Sequence, residues 1–130
     1  MPIFLNQIGQ IAVSVDDIEA AERFYGESLG LRKLYRFGDL VFFDCAGVRL
    51  LVEKEQKQPF VPASSVLYFR TPDIAMATRE LKAKGVAFID TPHLIAPMAD
   101  HDLWMVFFKD PAGNIMALMH EATKGYKPTL

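Results

Sequence analysis

The stretch Val15-Asp16-Asp17-Ile18-Glu19-Ala20-Ala21, followed by Leu29-Gly30-Leu31, decides the reading of this chain because it returns. Its weaker echo is Thr71-Pro72-Asp73-Ile74-Ala75-Met76-Ala77, followed by Lys84-Gly85-Val86. A second segment repeats in the same order: Phe42-Phe43 with Ala46-Gly47 comes back as Phe107-Phe108 with Ala112-Gly113. A chain of two similar halves builds one core from both and places its working site between them, so the repeat says which positions to compare.

Working outward from the first copy, residues 8–15 are mostly apolar with β-branched Ile11, Val13 and Val15, which predicts a strand. Asp16 supplies a helix N-cap, Glu19 its capping-box partner, and Gly30 the C-terminal stop. Ile18, Ala21, Tyr25 and Leu29 fall on one helical face. Strands over residues 32–37, 40–45 and 48–53, parted by Gly38-Asp39 and Ala46-Gly47, complete a β-α-β-β-β module over residues 7–54.

After a polar connector, a second module spans residues 64–122. It opens with a strand over 66–70, then Thr71 as N-cap and Pro72 at the first helical position. Ile74, Ala77 and Leu81 form the buried stripe, Lys82 and Lys84 suit the helix C-terminus, and Gly85 ends it. Strands near 86–89, 103–109 and 114–121 follow, the last two joined by the turn Asp110-Pro111-Ala112-Gly113, and residues 123–130 read as a loose tail. Neither module has enough apolar surface to stand alone. The expectation is one α+β domain over residues 1–130, whose curved mixed sheets pair into a cup-shaped partial barrel with the helices outside.

Composition narrows the partners. With 51% hydrophobic residues the 130-residue chain can fill a core, and 14 Lys and Arg against 16 Asp and Glu, with no long run of either sign, leave no footprint for nucleic acid or an anionic membrane. A small-molecule or protein partner is expected instead. Cys45 is the only cysteine, which rules out an internal disulfide and a cysteine-rich zinc site and fits a cytoplasmic location. The opening Met1-Pro2-Ile3-Phe4-Leu5-Asn6 lacks the pattern of a signal peptide, and no apolar run reaches the ~18 residues of a membrane span. There is no phosphate-cradling glycine loop, no Gly-x-Ser-x-Gly elbow and no zinc-protease helix motif.

Ile11-Ala12-Val13-Ser14-Val15-Asp16-Asp17, then Phe24-Tyr25 with Leu29-Gly30-Leu31, and finally Phe107-Phe108-Lys109-Asp110-Pro111-Ala112-Gly113-Asn114 carry a family resemblance. In this order and spacing the chain resembles the vicinal oxygen chelate superfamily, which includes glyoxalase I, extradiol dioxygenases, and bleomycin and fosfomycin resistance proteins. The resemblance covers about residues 8–121 and implies a homodimer, with cups formed within one chain or across two. It also implies four metal-ligand positions, one on the first and one on the last strand of each module, normally His or Glu. Here they fall on Gln10, Val66, Leu51 and Ala117. Three hydrocarbon side chains and one amide cannot make the superfamily's metal site, because a divalent ion needs several converging N, O or S donors. No cofactor is expected.

Strand alternation then gives the lining of the cup. Gln10, Ala12, Ser14, Arg49, Leu51 and Glu53 face inward from the first module, and Val66, Tyr68, Arg70, Ile115, Ala117, Met119 and Glu121 from the second. An unpaired buried amide or hydroxyl costs about 1–3 kcal/mol, so Gln10 and Tyr68 need each other or a guest. Arg49 and Arg70 either contact the ligand or pair with carboxylates such as Glu53 and Glu121 at the rim. Trp104 is either core or a stacking wall. His93 and His101 flank a turn-like stretch at 94–100, and a hairpin there would bring them together beside Asp100, Asp102 or Glu121 as an unorthodox metal or acid–base site. His120 has helix-facing parity and reads as packed. The functional expectation is a small-molecule-binding protein of this superfamily without its metal. The alternatives are a lyase or isomerase on a small oxygenated compound, using Glu53, Glu121 or the His93 and His101 pair, and a dimerisation module with a vestigial cup.

Overall fold

The computed structural model describes residues 6–62 and 65–129; the opening residues 1–5, Ser64 at the expected start of the second module, and Leu130 at the end of the expected tail lie outside the described residues. The chain divides into two compact units, Met1–Pro62 and Ala63–Leu130.

The first unit runs β1 (Gln10–Val15), α1 (Ile18–Arg23), β2 (Arg32–Phe37), β3 (Leu40–Cys45) and β4 (Val48–Lys54). Its sheet has the order β1-β4-β3-β2, with β1 parallel to β4 and the other pairs antiparallel. Period-2 alternation sorts the strands: Val13, Val15, Val41, Phe43, Leu50 and Val52 are buried on the face that carries α1, together with Ile18, Ala21, Phe24 and Tyr25 of the helical segment. Tyr25 is wholly enclosed, its ring 6.0 Å from that of Phe43. Enclosing a side chain of this size stabilises the fold by roughly 1.5–3 kcal/mol.

Two details differ from the sequence expectation. The N-cap of α1 is Asp17, not Asp16; its extended backbone (φ −128°, ψ 102°) lets its carboxylate accept from the Ala20 amide at 3.1 Å. After six α-helical residues the last turn widens into a π-helix over Phe24–Ser28, where the Leu29 amide donates to the Phe24 carbonyl at 2.9 Å. Strand β2 forms the outer edge, with all six residues exposed. It is tied to α1 by Arg36 on Glu19 (3.0 Å) and Glu22 (2.8 Å) and by Lys33 on Glu22 (3.0 Å). The Lys33 hydrogen bond, with Arg36 behind it, holds the Glu22 carboxyl below its ordinary range.

The second unit runs β5 (Leu67–Arg70), α2 (Ile74–Ala83), β6 (Ala87–Phe88), β7 (His93–Pro97), β8 (Asp102–Lys109) and β9 (Ile115–Ala122). Strand β5 is parallel to β9, β9 antiparallel to β8, and the far edge of β8 carries both β6 and β7. The expected β-α-β-β-β order therefore stands with its edge strand split in two. Pro92 lacks the amide a continuous ladder needs, and the Asp90 carboxylate accepts from the Phe107 amide at 2.9 Å where a strand carbonyl would otherwise sit. The stretch at 94–100, expected as a turn, is largely strand β7, and the turn shrinks to the bond from the Met98 amide to the His101 carbonyl at 2.8 Å.

Helix α2 is capped by Asp73 rather than Thr71, the Asp73 carboxylate accepting from Met76 at 3.0 Å, and Pro72 precedes the cap. The Thr71 hydroxyl accepts from the Asp73 amide at 3.2 Å. The next orphan donors are met from far along the chain. The Ile74 amide donates to Nδ1 of His120 at 3.4 Å. The Ala75 backbone bonds to the Tyr126 hydroxyl; burial raises the phenol above its ordinary value while this bond lowers it, as an amide donating to the oxygen must.

Residues 123–129 are thus a docked strap, not the loose tail expected. The Lys124 ammonium bonds Asp102 at 2.8 Å and the Met98 carbonyl at 2.9 Å, and the Gly125 amide donates to Asp102 at 3.0 Å. The Tyr126 ring meets His120 and Trp104 edge-on at 4.8 and 6.1 Å, and Arg79 reaches the Thr129 carbonyl at 2.6 Å. No helix among the described residues is long and apolar enough to cross a membrane.

Ala46 and Gly47 close the two-residue β3–β4 hairpin with φ of 50° and 93°, the paired positive values of a type I′ turn. Ala is strained there by about 1 kcal/mol. Ala46→Asn is expected to stabilise the protein by about 0.5–1 kcal/mol, read as a higher urea midpoint with unchanged slope; an unchanged or lower midpoint contradicts the strain. The strap gives a second expectation. The Lys124 hydrogen bond, reinforced by the Gly125 amide, holds the Asp102 carboxyl below its ordinary value. Its contribution is therefore present above the ordinary Asp value of about 3.9 and lost as pH falls through the lowered folded value. Fluorescence of Trp104, the single tryptophan, should hold steady from neutrality to about pH 4 and change below it, whereas Asp102→Asn should show the strap-released spectrum at pH 7 with its far-UV circular dichroism intact.

Candidate functional site

In each unit the sheet face opposite its helix is the candidate binding surface, and the strand register gives its rows. In the first unit Ala12 stands beside Leu51, Leu51 opposite Phe42, and Phe42 opposite Tyr35. The Phe42 and Tyr35 rings stack at 4.6 Å and 27°. The central row is thus hydrocarbon and aromatic throughout. Polar rows flank it: Gln10 beside Arg49 and Asp44 on one side, Ser14 beside Glu53 on the other. Gln10 and Arg49 are exposed, Ser14, Leu51 and Glu53 half-buried. The Arg49 guanidinium lies 5.9 Å from the centre of the Phe42 ring, a cation–π contact rather than an ion pair with Glu53.

The matching row of the second unit is Tyr68 beside Ala117, with Ala117 opposite Phe107. Tyr68 is 49% exposed and meets Phe107 edge-on at 6.2 Å, while Ala117 between them has no exposed surface at all. Two rings from either side close over one methyl group. The units solve the same row in opposite ways, small beside large as Ala12 and Leu51, large beside small as Tyr68 and Ala117. Val66, the remaining position the resemblance marks, is half-buried one residue ahead of β5.

Arg70 and Glu121 stand at the ends of β5 and β9 and pair at 3.3 Å. The other Glu121 oxygen lies 3.9 Å from Nε2 of His101, whose Nδ1 holds Asp100 at 2.7 Å. That hydrogen bond lowers the Asp100 carboxyl from its ordinary value.

Two expectations are corrected by this geometry. His93 and His101 are not brought together, because the β7–β8 ladder pairs His93 with Met105 and closes at Pro97 and Asp102, setting the histidines at opposite ends of the hairpin. His93 instead stacks on Phe107 at 6.3 Å and 28° and bonds the Thr91 carbonyl through Nδ1 at 2.8 Å. Trp104 pairs with His120 in the register and packs on Tyr126, so it lies on the helix-bearing face, away from Tyr68 and Ala117. Its Nε1 is buried without a hydrogen-bond partner among the described residues.

Phe42 and Phe107 build the open faces and are absent from the lining that alternation along the first and last strands of each module suggests. The signal was present in the Phe-Phe pairs: with Phe43 and Phe108 fully buried, alternation sends their neighbours to the other face. Tyr126 leaves no such signal, since its partners His120, Trp104 and Ala75 are fixed only by tertiary contact. As for the metal that the resemblance implies, the marked positions offer one amide and three hydrocarbon side chains, and among the described residues no three His, Cys, Asp or Glu gather as an ion would require. The residues at these positions do not fit the group.

No curated protein sequence matches the chain. Solved structures share its fold. A putative glyoxalase family protein from Bacillus anthracis superposes with a TM-score of 0.76 at 23% identity, covering 93% of this chain and 99% of that one. Lactoylglutathione lyase from Agrobacterium tumefaciens gives 0.72 at 24%, covering 93% and 98%. An integron cassette protein from V. cholerae gives 0.74 at 17%, covering 94% and 100%. The sequence profile of one family matches residues 7–118, nearly the full span of both repeat modules. The chain belongs to the Glyoxalase/Bleomycin resistance protein/Dioxygenase superfamily.

Proposed function

We propose that the protein binds a small organic molecule on the open, helix-free face of a sheet, and does so without the divalent metal of the superfamily's enzymes. The observation that carries this reading is Ala117. It occupies a position where the resemblance implies a ligand, yet it has no donor atom and lies sealed beneath Tyr68 and Phe107. Leu51 fills the corresponding place in the first unit. In the first unit the ring and hydrocarbon row is edged by Gln10 and Arg49, and in the second His93 stacks on Phe107; each surface by itself suits a ligand with a flat apolar body and a few polar atoms. The reading includes a homodimer, supported by the exposed edge strand β2, on which Tyr35 and Phe37 are 50% and 75% exposed.

A second reading, a lyase or isomerase acting on a small oxygenated compound, is favoured by one observation. Asp100, His101 and Glu121 form a chain of carboxylate, imidazole and carboxylate suited to moving a proton.

Elemental analysis and thermal shift separate these readings. The purified protein is expected to carry far less than one metal per chain and to keep its Tm when zinc, nickel or manganese is added. At least one planar aromatic compound from a panel should raise Tm, by the equivalent of about 2.7 kcal/mol at a hundredfold excess over Kd, and Phe107→Leu should erase that shift. Stoichiometric metal, or a rise of several degrees with one metal, would sink the metal-free reading, and a panel without effect would leave the dimerisation module. For the enzyme reading, His101→Asn should abolish turnover of a carbonyl substrate while sparing the ligand-induced shift. Light scattering should give twice the mass of one chain, and a monomer contradicts the dimer.

A further inference from the structure

We infer that the second unit carries a separate site, at the end of its sheet, for a compact zwitterion bearing a carboxylate and an ammonium on the same carbon. It does not rest on the open-face reading, which uses ring and hydrocarbon surface, because this site uses charges at the strand ends. An open depression of about 610 Å³ lies where β5 and β9 end side by side, lined by Arg70, Thr71, Pro72, His120, Glu121 and Thr123.

Three observations define what would bind there. Arg70 is 76% exposed along its side chain, and its contact with Glu121 at 3.3 Å engages one of its five N–H donors. The rest of the guanidinium fork is open to a carboxylate. His120 is only 8% exposed and also lines the depression. Its Nδ1 accepts from the Ile74 amide, and an amide can only donate, so the ring proton sits on Nε2. That N–H has no hydrogen-bond partner among the described residues and is the second donor that the proposed site would use. Glu121, held at 3.3 Å by Arg70 and at 3.9 Å by His101, keeps acceptor capacity for a cation.

The balance of charge selects the ligand. A simple anion at Arg70 meets Glu121, and a simple cation at Glu121 meets Arg70. A molecule carrying both charges satisfies both groups without leaving either desolvated and unpaired. A phosphate at the start of α2 is disfavoured, because the Ile74, Ala75 and Met76 amides are already taken by His120, Tyr126 and Asp73. Pro72 supplies a short apolar wall, which suits a small substituent between the two charges.

Titration of the ¹⁵N-labelled full chain with L-alanine, and separately with propionate and ethylamine, which each lack one charge, tests this. L-alanine is expected to shift the amides of Thr71, Ile74 and Thr123 saturably with a roughly millimolar Kd, and the two single-charge probes to bind about tenfold more weakly or worse. Arg70→Met should remove the effect, and Glu121→Gln should reduce alanine to the level of propionate. Phe107→Leu should leave alanine binding intact, which separates this site from the open face. Equal binding of the three probes, unchanged binding in Arg70→Met, or no saturable shift with L-alanine overturns the assignment.

Discussion

The constraint on which the structure depends is the pleat. Successive residues of a strand must point to opposite faces, and this chain places two phenylalanines in succession at the same point of each half. Phe43 and Phe108 are driven fully into the cores beneath α1 and α2. Phe42 and Phe107 are thereby committed to the other side, where no helix covers them. The aromatic character of the open faces follows from how the cores are built, and the Tyr35 and Tyr68 rings extend it to neighbouring strands.

Legibility in the sequence follows the range of the interactions involved. Strands β2, β3, β4 and β8, the C-terminal stops of both helical segments and the face assignment of β1 and β4 were readable because they depend on alternation and on glycines at positive φ within a few residues. The helix caps were misplaced by one or two residues. Asp16 and Asp17 offer the same side chain, as Thr71 and Asp73 offer similar ones, and only the backbone angles decide which reaches the right amide. The split of the edge strand at Pro92 could have been suspected from the proline. The side on which Trp104 lies could not, because nothing near it in sequence announces Tyr126. The candidate site was legible as a set of inward positions but not as an arrangement. The Arg70 and Glu121 pair, the separation of His93 from His101 and the sealing of Ala117 all depend on registers between strands distant along the chain.

The two units use the same plan with different reinforcement. In the first, helix and edge strand are joined by exposed ion pairs from Arg36 and Lys33, contacts worth little each and weakened by salt. In the second, the start of α2 is completed by His120, 46 residues from Ile74, and by Tyr126 from the strap. An isolated helix of ten residues is marginal in water, so α2 owes its first turn to tertiary structure as much as to its own sequence. The depression beside it inherits that dependence, since His120 serves both.

Ala12 with Leu51, and Tyr68 with Ala117, show the two halves of an internal repeat diverging in opposite directions while keeping one large and one small residue in each pair. Such compensation makes the order of mutations matter. Ala117 has no exposed surface, and the rings of Tyr68 and Phe107 flank it 6.2 Å apart, so a larger side chain at 117 requires those rings to move or shrink, and shrinking one first leaves a hole. A descendant of this chain could therefore regain a polar group at 117 only by crossing a less stable intermediate, and the roof of two rings acts as an evolutionary ratchet.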